Sequence, residues 1–112
     1  MEYKVVLLPQ AENDIIEAFG YLWEHSPEAA TRWYKRVRNA INTLSKLPAR
    51  CSHAPEAAKL QIELRQLLYG KHPGIYRIVF RIVDDWEVHV LSVRHCARKS
   101  LTKEEVRLYM DL

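Results

Sequence analysis

The sequence predicts an α+β fold: an N-terminal strand, an antiparallel helical hairpin packed on one face of a mainly antiparallel four-stranded sheet, and a short C-terminal helix. Three observations carry this expectation. Residues 3–8 form a short β-branched, apolar run ended by Pro9. Residues 11–47 carry apolar side chains at helical spacing, and residues 62–93 switch to the two-residue alternation of strands. At 112 residues there is room for one domain, expected over 1–112, with no internal repeat, linker or low-complexity segment.

The first strand needs little support beyond Val5, Val6, Leu7 and Leu8, with Pro9 ending it. The first helix follows from Ala11, Ile15, Ile16, Phe19, Leu22 and Trp23, which share one helical face. Glu12, Asp14, Glu17 and Glu24 lie elsewhere on it, and it holds no Lys or Arg. Gly20 is an unfavourable helix residue, and close packing is its expected reason. Ser26-Pro27 marks a restart, because Ser is a good N-cap and Pro suits the first helical position. The second helix is expected to run to about residue 47, with Ala30, Trp33, Tyr34, Val37, Ile41 and Leu44 as its apolar stripe. Arg32, Lys35, Arg36, Arg38 and Lys46 occupy its solvent side, so the acidic first helix and the basic second one can pair along facing edges. Trp23 and Trp33 are assigned to the core.

Residues 49–59 show least pattern and read as a loop with a helical turn. Three strands follow, at 62–69, 74–83 and 86–93. In the middle one Tyr76, Ile78, Phe80 and Ile82 point one way, and Ile75, Arg77, Val79 and Arg81 the other. Asp84-Asp85 supplies a turn without the usual Gly. Thr102 as N-cap, with Glu105 three residues on, opens a helix over 103–110.

Composition excludes several classes of function. With 48% hydrophobic and 28% charged residues the chain is not disordered. It contains no apolar run long enough for a transmembrane helix, and its first residues lack the features of a signal peptide. Cys51 and Cys96 form no disulfide framework, and a zinc site from Cys51, His53, His95 and Cys96 matches no common ligand spacing. No metal and no cofactor is expected, and the cytoplasm is the expected compartment.

The net charge is only +3, but it is unevenly spread. Arg94, Arg98, Lys99 and Lys103 crowd a stretch, 88–103, that has no Asp or Glu. The helices are expected to cover the aromatic face of the middle strand, leaving Arg77 and Arg81 on the other face, with Arg65 beside them. Two readings of these arginines stand side by side: solubilising charges on a solvent face, or an anion-binding surface. His95 lies among guanidinium groups, and an imidazole titrates near neutrality, which suits acid–base work. His25, His53, His72 and His89 lack such neighbours. An enzyme built from these parts would be a small metal-free ribonuclease, its arginines stabilising a phosphoryl transition state.

Several motifs in this order resemble the RelE/ParE superfamily of bacterial type II toxin–antitoxin toxins. They are Pro9-Gln10-Ala11-x-x-Asp14-Ile15, Ser26-Pro27, Pro48, Glu63-Leu64-Arg65-Gln66-Leu67, Tyr76-Arg77-Ile78-Val79-Phe80, and Val90-Leu91-Ser92-Val93-Arg94-His95-Cys96-Ala97-Arg98. Cys96 stands where the family commonly has Gly. The resemblance implies a growth-inhibiting toxin, of the kind linked to plasmid stabilisation, neutralised by a cognate antitoxin that wraps its helices and sheet. Operator DNA is then met only through the antitoxin complex. ParE-like members poison DNA gyrase; RelE-like members cut mRNA on the ribosome. The RelE-like branch would make Arg77, His95 and Arg98 catalytic. Arg65, Arg81, Arg94 and Lys99 would contact the target or the antitoxin. The C-terminal Tyr of that branch aligns with Leu101 or Thr102, Tyr109 comes several residues too late, and its lysines have no counterpart around 64–68. The long hairpin is also ParE-like. The favoured expectation is therefore a ParE-like gyrase inhibitor, with a RelE-like ribonuclease and a non-toxic antitoxin-binding relative as alternatives.

Overall fold

A computed structural model describes residues 2–70 and 74–111; Met1, His72 with its two neighbours, and Leu112 lie outside them. The elements are β1 (Lys4–Leu7), α1 (Pro9–His25), α2 (Pro27–Asn42), α3 (Pro55–Leu60), β2 (Arg65–Tyr69), β3 (Tyr76–Val83), β4 (Glu87–His95) and α4 (Lys103–Asp111). The sheet order is β1-β4-β3-β2, with β1 parallel to β4 and the other pairs antiparallel. This is the expected α+β architecture.

Local signals act where the sequence placed them. Ser26 Oγ accepts the Ala29 N–H at 3.2 Å and caps α2. At α4 the Thr102 N–H donates to Glu105 at 3.0 Å, and the Glu105 N–H donates to Thr102 Oγ1 at 3.1 Å, a reciprocal capping box. Asp84 takes the left-handed backbone, φ 54°, that Asp tolerates in a turn lacking Gly. The second helix ends earlier than expected, at Asn42, and continues as a 3-10 turn, Thr43–Ser45. Leu47 then turns with φ 48°, and the Arg50 guanidinium donates to the carbonyls of Lys46 and Leu47, which fastens the corner.

Two cores share the sheet. On one face Ala11, Ile15, Val37, Ile41 and Leu44 from the hairpin side meet Ile78, Phe80, Val88, Val90 and Val93. This is the expected aromatic face of β3, and each such large side chain contributes roughly 1.5–3 kcal/mol on burial. The opposite face is not open, as the sequence reading had it. Val79 and Leu91 are covered there by Ala54, Leu64, Leu101, Val106 and Tyr109, brought in by α4 and the segments flanking α3 and α4. The unpatterned stretch and the C-terminal helix together supply this second layer.

Three further expectations change. Trp23 is 49% exposed rather than core, because α1 turns Ala11 and Ile15 to the sheet and leaves Ile16, Phe19 and Trp23 on its outer side. Among the described residues no ion pair joins α1 to α2; apolar and aromatic contacts do, including Phe19 against Tyr34 at 5.7 Å. A Cβ added at Gly20 would meet nothing within 4 Å, so close packing does not explain that glycine.

The junction of β1 and α1 positions the end of β4. The strand ladder stops where the Leu8 N–H donates to the Val90 carbonyl at 3.0 Å. Beyond it β4 would present bare edge groups. Asp14, one helical turn into α1, replaces the missing strand: its Oδ2 accepts the Val93 N–H at 3.0 Å and the Ser92 hydroxyl at 2.7 Å. A bulge lies at the same place. Val79 pairs with Ser92 but Phe80 pairs with Val90, leaving Leu91 extra.

Gly20 in α1 and Gly70, just after β2, are expected to respond oppositely to alanine. Gly20→Ala removes unfolded-state freedom in an open helical position and should stabilise the fold by about 0.5–1 kcal/mol. Gly70 has φ 101° and a Cβ there would lie 2.5 Å from the Gly74 carbonyl oxygen, so Gly70→Ala should destabilise by about 1–3 kcal/mol. Urea unfolding of both variants measures the signs.

Candidate functional site

The basic residues singled out from the sequence do not converge on one centre. Arg77 is 8% exposed, on the covered face of β3. Its guanidinium grips Glu56 of α3 through two bonds, Nη1 to Oε1 at 2.9 Å and Nη2 to Oε2 at 2.7 Å, and reaches Gln66 at 3.0 Å. Glu56 Oε2 also accepts the Leu101 N–H at 2.9 Å. Burial works against ionisation of Glu56, but the bonds from Arg77 and Leu101 outweigh it and hold its pKa at about 2. Arg77 is thus a buried ion-pair partner rather than a surface cation. Sequence periodicity chose the right face for it but missed its carboxylate, which comes from the stretch with no legible pattern.

Arg65 is similarly engaged, with Glu63 at 3.0 Å and the carbonyls of Cys51 at 2.6 Å and Ala49 at 3.2 Å. Arg81 packs against α4, its Nη1 lying 3.2 Å from Met110 Sδ. Lys99 and Arg98 are exposed. Tyr109 is buried, and its hydroxyl donates to Glu105 at 3.1 Å. Burial and then that carboxylate push the phenol above its ordinary range, away from proton exchange near neutrality.

One cleft does gather part of the basic cluster. It lies between α1 and the end of β4, has a volume of about 210 Å³, and its walls include Tyr21, Tyr76, Arg94, His95 and Arg98, with Asp14 and Glu17 opposite. Tyr76 packs edge-on against the His95 ring, with centroids 5.3 Å apart, and burial raises its phenol pKa. The Ala97 N–H donates to His95 Nδ1 at 3.0 Å. That nitrogen's lone pair is therefore committed to the backbone, in the turn that contains Cys96. Cys51 is buried and Cys96 exposed. Among the described residues no three His, Cys, Asp or Glu side chains gather as a metal site, and no helix is long and apolar enough to cross a membrane.

The outer face of the hairpin is the other prominent surface. Ile16, Phe19 and Tyr34 line an apolar hollow of about 190 Å³, and Trp23 stacks beside Phe19 with centroids 5.6 Å apart. Helical periodicity found these residues but did not divide them between inward and outward sets.

Over residues 5–100 the chain matches the family described as ParE toxin of type II toxin-antitoxin system, parDE. It is similar in fold to a solved structure described as the chromosomal ParDE TA system from P. aeruginosa, with a TM-score of 0.65 at 15% identity, over 84% of this chain and 96% of that one. No curated protein sequence matches it.

Two expectations follow from the Arg77–Glu56 pair. Glu56→Ala strands a buried guanidinium and should cost about 3–5 kcal/mol. Arg77→Met with Glu56→Gln removes both charges, keeps an acceptor for Leu101, and should recover at least half of that loss in urea unfolding. The pH dependence has a fixed sign. Because the folded pKa of Glu56 lies below its ordinary value, the stabilisation is complete above about pH 5 and fades as pH falls from there toward 2. The double variant should therefore show a shallower acid decline than the parent over that window.

Proposed function

Because the chain belongs to the ParE toxin family of type II toxin–antitoxin systems, we propose that it inhibits bacterial growth by acting on DNA gyrase, in the cytoplasm, and is held inactive by a cognate antitoxin. The state of Arg77 carries the choice of gyrase over ribosome-bound mRNA. A ribonuclease of the kind considered from the sequence needs that guanidinium at a phosphoryl group, together with an acid and a base. Here Arg77 is spent on Glu56 and Tyr109 on Glu105. Arg65 and Arg81 also serve contacts within the fold.

Among the surfaces open to macromolecular partners are the aromatic side of the hairpin and the exposed Arg98 and Lys99. We assign gyrase and antitoxin contacts to these two regions. Operator DNA is then met through the antitoxin complex, as the family resemblance implies.

Induced expression in bacteria should arrest growth, and co-expression of the cognate antitoxin should reverse it. In a purified system the chain should inhibit gyrase supercoiling or trap cleaved DNA. Arrest with no gyrase effect, accompanied by cleaved ribosome-bound mRNA, would move the chain to the nuclease reading. Normal growth at confirmed expression would leave the non-toxic, antitoxin-binding reading.

A further inference from the structure

Arg94 is a buried cation with an unpartnered N–H. Its residue is only 4% exposed. One Nη donates to the Lys99 carbonyl at 2.7 Å, but the buried Nε–H has no partner. Among the described residues no carboxylate is paired with it. The β3–β4 register sets Arg77 directly across from it, a like-charge pair. Arg98 adds a further positive charge nearby.

Three nearby acids have their hydrogen bonds committed elsewhere, although the Glu105 charge still acts on Arg94. Both oxygens of Glu56 hold Arg77, and one also takes Leu101. Asp14 takes the Gln10 side chain, Ser92 and Val93. Glu105 takes the Thr102 N–H and the Tyr109 hydroxyl. Burial, then Arg98, push the Arg94 pKa downward against the opposing pull of the Glu105 charge, yet a guanidinium stays charged in proteins. A buried cation with an unused N–H is costly on its own and favourable once an anion arrives. The cleft it lines supplies the space, about 210 Å³.

We infer that this cleft receives one carboxylate from an acidic side chain of a protein partner, with Arg94 as the anchor and Arg98 at the rim. A carboxylate suits the site better than a phosphate. It brings one negative charge to one guanidinium that has no direct ion-pair partner among the described residues, and its planar oxygens match the guanidinium edge. Asp14 and Glu17 on the opposite wall oppose a dianion. Equating the partner with the antitoxin rests on the toxin–antitoxin reading; the carboxylate site itself does not.

The test is a nitrogen-15 NMR titration of the isolated chain with N-acetylglutamate amide and, separately, inorganic phosphate at matched ionic strength. The glutamate probe should shift the Arg94 Nε–H resonance saturably. Arg94→Met, close to the parent side chain in length and free of the buried charge, should stay folded and bind at least tenfold more weakly. Arg98→Gln should weaken binding less. No saturable shift, an equal affinity in Arg94→Met, or tighter binding of phosphate would each overturn the proposal. The titration needs neither gyrase nor living cells, so its failure and a failure of the growth assay are separate results.

Discussion

The bidentate grip of Arg77 on Glu56 is the contact through which three separate parts of the chain meet. Arg77 belongs to β3, Glu56 to α3, and the Leu101 N–H that completes the carboxylate leads into α4. Neither helix has a large apolar surface of its own, since α3 spans only Pro55–Leu60 and α4 only Lys103–Asp111. Short helices of this kind are marginal without tertiary support. The ion pair fixes where they dock, and the apolar contacts around Val79, Leu91 and Val106 then close the layer. Geometry sets the balance: two short bonds from a planar fork offset a desolvation that a single looser contact would not.

Much of this architecture was legible in the sequence, for physical reasons that differ by element. The strands β3 and β4 and the helix α2 are long enough for periodicity to average over local exceptions. Ser26, Thr102 and Glu105 cap helices through their own side chains, so the signal and the structure are the same atoms. The second layer was not legible, because α3 is too short to show a period and its buried residue, Glu56, is polar. A buried carboxylate looks like a surface one until its partner is known. Arg77 was thus placed on the correct face and given the wrong surroundings. Trp23 failed differently: its helix carries apolar residues over an arc wider than the sheet can cover, and the excess faces outward.

The candidate site shows the same division. Residue type and clustering located Arg94, His95 and Arg98, which do share one cleft. What they could not convey was which charges are already balanced. Arg77 and Arg94 lie side by side on neighbouring strands with similar burial, yet one is held by a carboxylate and the other is not. That distinction depends on contacts between residues far apart in the chain, and it separates a structural arginine from one able to receive a ligand.

The extra residue at Leu91 acts as a change of phase within β4. Before it, Val88 and Val90 face the hairpin; after it, Val93 does so too, and Arg94 falls on the side of Arg77. A strand of unbroken alternation would put Val93 and Arg94 on the opposite sides. Losing one residue here would therefore exchange an apolar core position with a buried charge, while most single replacements nearby would leave that order intact. For this segment, length is under tighter constraint than composition, and an insertion or deletion is the more destructive kind of evolutionary change.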